Sequence, residues 1–163
     1  MDLAQARKIV EEALSGIEAR VEEGRGFIEF IVSKENLVEA ASRLKKAGFD
    51  HVKSLTVVDY KAEGKFKIVY YVSSYLNEDL AGVIVGIGTE VPRDNPKMPT
   101  LVYVWRSAEF QEREVFEFFG IDFEDHPDLR LLLLTPQVAE KRPLRKDFIV
   151  KEEPIIRTTP PTG

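Results

Sequence analysis

Hydrophobic positions in the first third of the chain recur at the spacing of amphipathic helices. Apolar residues three and four apart predict one helix over about 3–15, after a capping box formed by Asp2 and Gln5. The same spacing predicts a second helix over about 34–47, which Ser33 can cap. Each of these helices has one apolar face that has to be buried.

Alternation of apolar and polar residues predicts strands between and after these two helices. Two short strands, 16–21 and 27–32, flank a turn at Glu23-Gly24, and three longer strands follow at 51–59, 65–75 and 81–90. This order indicates an α+β fold. We expect a mostly antiparallel sheet with two helices packed on it, then a short helix and an extended C-terminal tail.

Proline residues divide the chain. Three of them make residues 91–99 a stiff connector, because proline breaks both helices and strands. We therefore expect an α+β domain at 1–90, the connector at 91–99, and a third region at 100–163 with one helix and the tail. The tail alternates prolines with leucines and isoleucines that need burial, so we expect it to wrap around its own domain or another subunit.

The helix of the third region is predicted between Ser107, which can cap its N-terminus, and Gly120, which can end it. Its broad apolar face is interrupted by Glu112. A buried carboxylate is unfavourable unless it is paired or hydrogen-bonded, so periodicity leaves open a half-exposed helix whose Glu112 reaches water. The opposite side carries charged residues that can pair at i, i+4 spacing: Glu109, Arg113 and Glu117.

Composition narrows the chemistry. The 163 residues contain no cysteine, which excludes disulfides, thiolate catalysis and the usual ligation of iron–sulfur clusters by this chain. The net charge of −5 gives no general attraction to nucleic acid. We expect no signal peptide, and the longest apolar run, Leu131–Leu134, is too short to cross a bilayer, so membrane association should come through a partner.

No self-contained active site is predicted. The two histidines, His51 and His126, lack a nucleophile elbow nearby, and Glu112 and Glu114 point about 160° apart on a helix, too far to share acid–base chemistry. Solvated loop acids are the simpler interpretation of the residues around His126, although a stand-alone metal-dependent enzyme at His126 remains an alternative. Its hard-cation ligands would be Asp122, Glu124, Asp125 and Asp128.

Four motifs within residues 109–148 resemble one known family. They are Glu112-Arg113-Glu114, then Glu117-Phe118-Phe119-Gly120, then His126-Pro127-Asp128-Leu129-Arg130, then Pro143-Leu144-Arg145-Lys146-Asp147-Phe148. Their order and spacing resemble the 30-kDa subunit of respiratory complex I (NADH-quinone oxidoreductase), a family that includes counterparts in archaeal membrane-bound hydrogenases and related ferredoxin-linked complexes. The sequence departs at Phe110, where family members often have tryptophan.

The resemblance implies a non-catalytic, cofactor-free subunit of the peripheral arm, on the cytoplasmic side of the membrane. Such a subunit docks on the large subunit, which is the quinone-reducing or nickel–iron hydrogenase-like one, within a complex that couples electron transfer to ion translocation. Neighbouring subunits would carry iron–sulfur clusters and, in hydrogenase-type complexes, a nickel–iron site. The membrane arm would be reached only indirectly, and nucleic acid is not an expected partner.

The resemblance also implies which residues form the partner interface and anchor the tail: Glu112, Arg113, Glu114, His126, Arg130, Pro143, Leu144, Arg145, Lys146 and Asp147. We expect Glu112 to be buried against an arginine, either Arg130 or Arg145 or one from the large subunit. We also expect the isolated chain to have a labile tail beyond residue 120. A free protein-binding module is a further alternative.

Two features favour one branch of the family. The chain is compact in length, at 163 residues. Its scarcity of Asn and Gln beside abundant Glu and Lys is typical of thermophile proteins. Both features favour an archaeal hydrogenase-type or sulfur-reducing relative over a quinone-linked NADH dehydrogenase.

Overall fold

A computed structural model describes residues 2–150 of the chain. Its main sheet has five strands: β1 (Ala19–Gly24), β2 (Phe27–Val32), β3 (His51–Tyr60), β4 (Lys65–Ser73) and β5 (Val85–Pro92). They are arranged in the order β1-β2-β5-β4-β3, and only the β2–β5 pair is parallel. The predicted α+β fold with a mostly antiparallel sheet is confirmed.

Two helices cover one face of this sheet, α1 (Leu3–Ala13) and α2 (Leu37–Lys46). The predicted capping box of α1 is present, because Asp2 and Gln5 exchange hydrogen bonds of 2.8 and 2.9 Å. The predicted cap of α2 is wrong, since Ser33 makes no capping hydrogen bond and a 3₁₀ turn precedes the helix. The core joins both helices to the sheet through buried apolar residues such as Val10, Leu37, Leu44, Phe30, Ile68 and Ile87.

Two connections differ from the prediction. The first hairpin turns at Arg25-Gly26 rather than at Glu23-Gly24, because Gly26 takes the positive φ of 83° that the turn requires. The polar link before β5 contains a short helix, α3 (Glu78–Ala81), whose N-terminus is capped by Asn77. Strand β5 therefore begins four residues later than the predicted residue 81.

The chain after β5 returns to the same core. A short strand β6 (Lys97–Pro99) pairs in parallel with β7 (Asp122–Glu124). The Trp105 indole is buried and donates to the Phe49 carbonyl at 2.8 Å. Met98, Leu101, Ile121 and Phe123 belong to the same hydrophobic cluster as the sheet. The division of the chain at residues 91–99 stays a prediction.

The motif helix is α4 (Glu109–Phe119), and a further short helix, α5 (Pro136–Ala139), follows in the tail. Gly120 ends α4 with a φ of 72°, as predicted. The predicted role of Ser107 is wrong: its hydroxyl accepts the Val52 N–H at 3.0 Å and so ties the start of the helix to β3. No helix within residues 2–150 is long and apolar enough to cross a membrane.

The sheet face that the helices leave uncovered is closed by charged side chains. Lys67 is buried there and donates to Glu29 at 2.8 Å and to Glu22 at 2.9 Å, while the Tyr71 hydroxyl donates to Glu29. These side chains can lie flat on the strands because Gly86 leaves the room that a Cβ would take, 2.9 Å from the Glu29 Cγ.

Candidate partner-docking site

Glu112 lies at the centre of the motif region and is completely buried. Its carboxylate accepts hydrogen bonds from the Tyr70 hydroxyl at 2.9 Å, from the Leu101 N–H at 2.8 Å and from the Thr100 hydroxyl. The nearest ring nitrogen, Nε2 of His126, is 3.8 Å away. Glu112 thus joins α4 to strand β4 and to the segment that follows β6.

The environment of Glu112 shifts two acid–base equilibria. Burial raises the pKa of Glu112, and the hydrogen bonds from Thr100, Leu101 and Tyr70 only partly offset it. Burial, together with the neighbouring carboxylate, raises the pKa of Tyr70 well above its ordinary value, so this hydroxyl stays a donor. The half-exposed alternative for Glu112 is wrong.

The predicted pairing of Glu112 with a tail arginine is also wrong. Arg130 is exposed and pairs with Asp128, and Arg145 donates to the Phe119 carbonyl. Two hydroxyls and one backbone N–H satisfy the Glu112 carboxylate instead. Periodicity showed where Glu112 points, but it could not show that β4 and residues 100–101 supply neutral donors there.

His126 fastens the loop after β7 to α4. Its side chain is fully buried, and Nδ1 accepts the Asp128 N–H at 3.0 Å. Nε2 therefore carries the ring proton, and it faces the Glu109 carbonyl at 3.2 Å. The acids around His126 do not converge on a common point: within residues 2–150, no three His, Cys, Asp or Glu side chains are arranged to hold a metal ion.

The side of α4 that was expected to face solvent is covered by the tail. Arg113 and Glu117 are both buried there, contrary to the predicted surface pairing. Arg113 donates to the Arg130 carbonyl at 3.0 Å and to the Leu131 carbonyl at 3.2 Å. The Glu117 carboxylate accepts N–H groups at 2.8, 3.1 and 3.2 Å from three successive residues: Leu132, Leu133 and Leu134. We refer to residues 130–134 as the leucine strap.

The end of α4 is capped by residues 142–145 of the tail. The Arg142 guanidinium donates to the Phe116 carbonyl at 3.1 Å, the Leu144 N–H to Phe118 at 3.2 Å, and Arg145 Nε to Phe119 at 2.6 Å. These carbonyls belong to the last turn, where helices lack internal donors and where the dipole favours cations. Arg145 and its neighbours therefore anchor the tail to its own helix.

The last anchor joins the tail to the sheet. Asp147 accepts from Arg93 at 2.8 Å, and the Lys146 N–H donates to Asp59 at 2.9 Å. Arg93 also binds Asp59 through two nitrogens, at 2.9 and 3.1 Å. Burial acts to raise the pKa of Asp59, but the hydrogen bonds from Arg93 and Lys146 outweigh it, so this pKa is lowered.

Some of the predicted site residues point outward instead. Glu114 is exposed, and its side chain makes no hydrogen bond or ion pair within the described part of the chain. Phe110, one turn earlier on α4, is 58% exposed, with the Arg113 guanidinium 5.7 Å from its ring centre. We call Phe110 and Glu114 the docking face. Leu144 is also exposed, whereas the neighbouring Pro143 is half-buried.

Several residues of this arrangement were missed by sequence reasoning. Glu117 lies within the second motif, but its helical spacing predicts the solvent side, whereas it is buried. The others lie far along the chain from the residues they bind, and no local pattern marks them: Tyr70, Thr100, Asp59, Arg93 and Arg142.

Comparison with known proteins identifies a family. The sequence model described as "Respiratory-chain NADH dehydrogenase, 30 Kd subunit" matches residues 30–154. The chain is 34% identical over 155 residues to NADH-quinone oxidoreductase subunit 5 of Thermus thermophilus, which covers 91% of this chain and 74% of that protein. It is also 34% identical over 153 residues to a subunit of the F(420)H(2) dehydrogenase of Methanosarcina mazei, covering 88% and 91% of the two chains.

A solved structure shows the same fold. A chain of the membrane-bound sulfane sulfur reductase, described as an archaeal respiratory membrane complex, superimposes with a TM-score of 0.74 at 26% identity. The match covers 89% of this chain and 86% of the other. Because the match covers 89% of this chain, it extends well beyond the sheet.

Proposed function

Since the chain belongs to the respiratory-chain NADH dehydrogenase 30-kDa subunit family, we propose that it is a non-catalytic peripheral-arm subunit of a complex I-like membrane-bound oxidoreductase. In this proposal it docks on the large quinone-site or hydrogenase-like subunit. The proteins that it resembles are subunits of respiratory oxidoreductase complexes. Its task is to hold the assembly together while neighbouring subunits transfer electrons.

The division of the motif residues on α4 is the observation that carries this proposal. Glu112, Arg113 and Glu117 all bind other parts of the same chain. Glu114, at the centre of the first motif, is instead turned to solvent beside the exposed Phe110 ring. An exposed aromatic ring next to a carboxylate that has no partner among residues 2–150 suits a partner surface that supplies a cation in apolar surroundings.

The cofactors belong to the neighbours in this proposal. His126 and Glu112, which could otherwise bind a metal, are occupied by hydrogen bonds within the chain. Iron–sulfur clusters, and a nickel–iron site in hydrogenase-type complexes, would therefore lie in the adjoining subunits. The chain would be peripheral, on the cytoplasmic side, and would reach the membrane arm only through the complex.

The electron acceptor stays a prediction. The sequence favours a hydrogenase-type or sulfur-reducing complex, and the match to the sulfane sulfur reductase supports this choice. The two relatives at 34% identity are named for quinone-linked and F420H2-linked enzymes, so identity alone does not separate the branches. Activity of the purified native complex with polysulfide, protons or a quinone would decide among them.

Co-expression with the large subunit tests the docking face. We expect Glu114→Lys to weaken co-purification at least tenfold, because it places a cation against the proposed cation of the partner, and Phe110→Ser to weaken it similarly. Glu12→Lys is the matched control, since Glu12 is an exposed helix glutamate on α1. Equal recovery of Glu114→Lys, Phe110→Ser and Glu12→Lys in the complex would contradict the proposed face.

A further inference from the structure

The backbone of the leucine strap is bound to α4 through three N–H groups and two carbonyls. Glu117 binds the N–H groups of three successive residues, and Arg113 binds the two carbonyls before them. Arg113 and Glu117 are four residues apart on α4 and could pair with each other. They instead bind the strap with charge-assisted hydrogen bonds, which are stronger than neutral ones.

This arrangement limits how a partner can recognise the strap. An extended segment that joins the sheet of another protein needs free backbone N–H and C=O groups. In the strap, the N–H groups of Leu132–Leu134 and the carbonyls of Arg130 and Leu131 are already bound to α4. The N–H groups that a partner strand would need are therefore largely taken, which leaves contact with another subunit mainly to the side chains.

The strap is held on both sides along the chain. Before it, the buried His126 ring fastens the loop to α4, and after it, Arg142 and Arg145 cap the same helix. The fastening is complete within residues 2–150.

Two leucine side chains project from this fixed backbone. Leu133 is 65% exposed, and Leu144, whose N–H is bound to the Phe118 carbonyl, is 55% exposed. The other leucines of the strap are half-buried against the chain itself. A leucine on an ordered backbone loses less conformational entropy on binding than one on a disordered tail, so both are suited to filling apolar recesses.

We infer that the strap is clasped to α4 by Glu117 and Arg113 before assembly, and that Leu133 and Leu144 insert into apolar recesses of the large subunit. We call the binding of the strap to α4 by Glu117 and Arg113 the clasp. The choice of partner rests on the proposed function, whereas the clasp does not. The inference differs from the expectation that the isolated chain has a labile tail beyond residue 120.

Hydrogen exchange of the isolated full chain, resolved by residue with NMR, tests the clasp. We expect the amides of Leu132–Leu134 to be protected in the wild type and to exchange at least tenfold faster in Glu117→Ala. Glu114→Ala is the matched control on the same helix and should leave them unchanged. Continued protection of Ile68 and Val69 in β4 would show that the Glu117 variant is folded. Strap amides that exchange at unfolded rates in the wild type would overturn the clasp.

Binding measurements with the large subunit test the leucines. We expect Leu133→Ser and Leu144→Ser to weaken binding at least tenfold each, with strap protection unchanged. Leu76→Ser is the control, because Leu76 is 88% exposed but lies in the loop after β4. Wild-type affinity in both leucine variants would overturn the inference and leave the proposed function standing. Failure of the wild-type chain to bind would overturn the proposed function and the partner assigned here.

Sedimentation of the free chain tests whether a second copy of this chain, rather than the large subunit, binds these leucines. We expect a monomer at the concentrations used for binding. A dimer that Leu133→Ser dissociates would assign the exposed leucines to a second copy of this chain and overturn the choice of the large subunit.

Discussion

Glu29 on the uncovered sheet face and Glu112 beneath α4 are both almost completely buried, and adjacent tyrosines of β4 donate to them. Tyr71 points to one face and reaches Glu29, whereas Tyr70 points to the other and reaches Glu112. Glu29 also has a cation, since Lys67 lies 2.8 Å away. Within residues 2–150, Glu112 accepts from two hydroxyls and one N–H, and no lysine or arginine pairs with it.

This difference shows that the two sides of the sheet are stabilised by different means. Ion pairs close the outer face, and their contribution depends on keeping both charges together. Beneath α4, a carboxylate collects donors from distant segments and so fixes their relative positions. Substitutions that remove a charge but keep the hydrogen bonds should therefore change the stability differently at Glu29 and at Glu112.

Truncation of Glu112 should have the largest effect. Glu112→Ala leaves the Tyr70 hydroxyl and the Leu101 N–H buried without an acceptor, and we expect it to lower the free energy of unfolding by about 3–5 kcal/mol. Glu112→Gln keeps one acceptor oxygen for both donors, and the Thr100 hydroxyl can rotate to accept, so we expect a loss of about 1 kcal/mol. Urea denaturation measures the free energy of unfolding of both variants. Equal losses in the two would contradict the hydrogen-bonding role assigned to Glu112.

Removal of the cation on the opposite face should have an intermediate effect. Lys67→Met leaves Glu29 buried with the Tyr71 hydroxyl as its remaining strong donor, and we expect a loss of about 2–3 kcal/mol, near the lower end for broken buried pairs. Adding Glu29→Gln should recover at least half of that loss, because the uncompensated charge is then gone. A double variant less stable than Lys67→Met would show that the ion pair is not what Lys67 contributes.

The features of this fold that could be predicted from the sequence are those that depend on residues close together along the chain. The capping box at Asp2 and Gln5 and the end of α4 at Gly120 were predictable, because each depends on residues within one helical turn. The alternation of apolar and polar residues within β4 and β5 likewise predicted these two strands. The parallel pairing of β2 with β5 could not be foreseen, since no local signal specifies which distant strands become neighbours.

The candidate site shows the same limit. Periodicity correctly placed Glu112 on an inward face, but its partner Tyr70 lies 42 residues away along the chain. The opposite face of α4 was expected in solvent because the pattern of a helix carries no information about a tail that later covers it. Arg113 and Glu117 form hydrogen bonds with the backbone of that tail rather than with water.

The pH dependence of stability should show a smaller effect of Glu112. The pKa of Glu112 is raised above its ordinary value of 4.5 in the folded state. The folded state therefore holds this proton more tightly than the unfolded state. The resulting stabilisation is fully present below about pH 4.5 and is lost as the pH rises through the folded-state pKa.

Comparison with Glu112→Gln isolates this contribution from the other acids. We expect the stability of the wild type to fall relative to that of Glu112→Gln as the pH rises from about 4.5, and then to level off. The lowered pKa of Asp59 acts in the opposite direction at lower pH, and it is common to both proteins. Parallel stability curves for the two proteins, measured by urea denaturation from pH 4 to 8, would contradict the assigned shift.

The smallest effect should come from Arg130, and it distinguishes two accounts of Glu112. Arg130 is 76% exposed and pairs only with Asp128 at the surface of the described chain, where solvent screens the interaction. We therefore expect Arg130→Ala to leave the urea midpoint and the exchange of the Leu101 amide unchanged. If Arg130 were instead the buried partner of Glu112, its removal would lower stability by about 3–5 kcal/mol. The strap tolerates the substitution because Arg113 binds the backbone carbonyl of residue 130, which alanine retains.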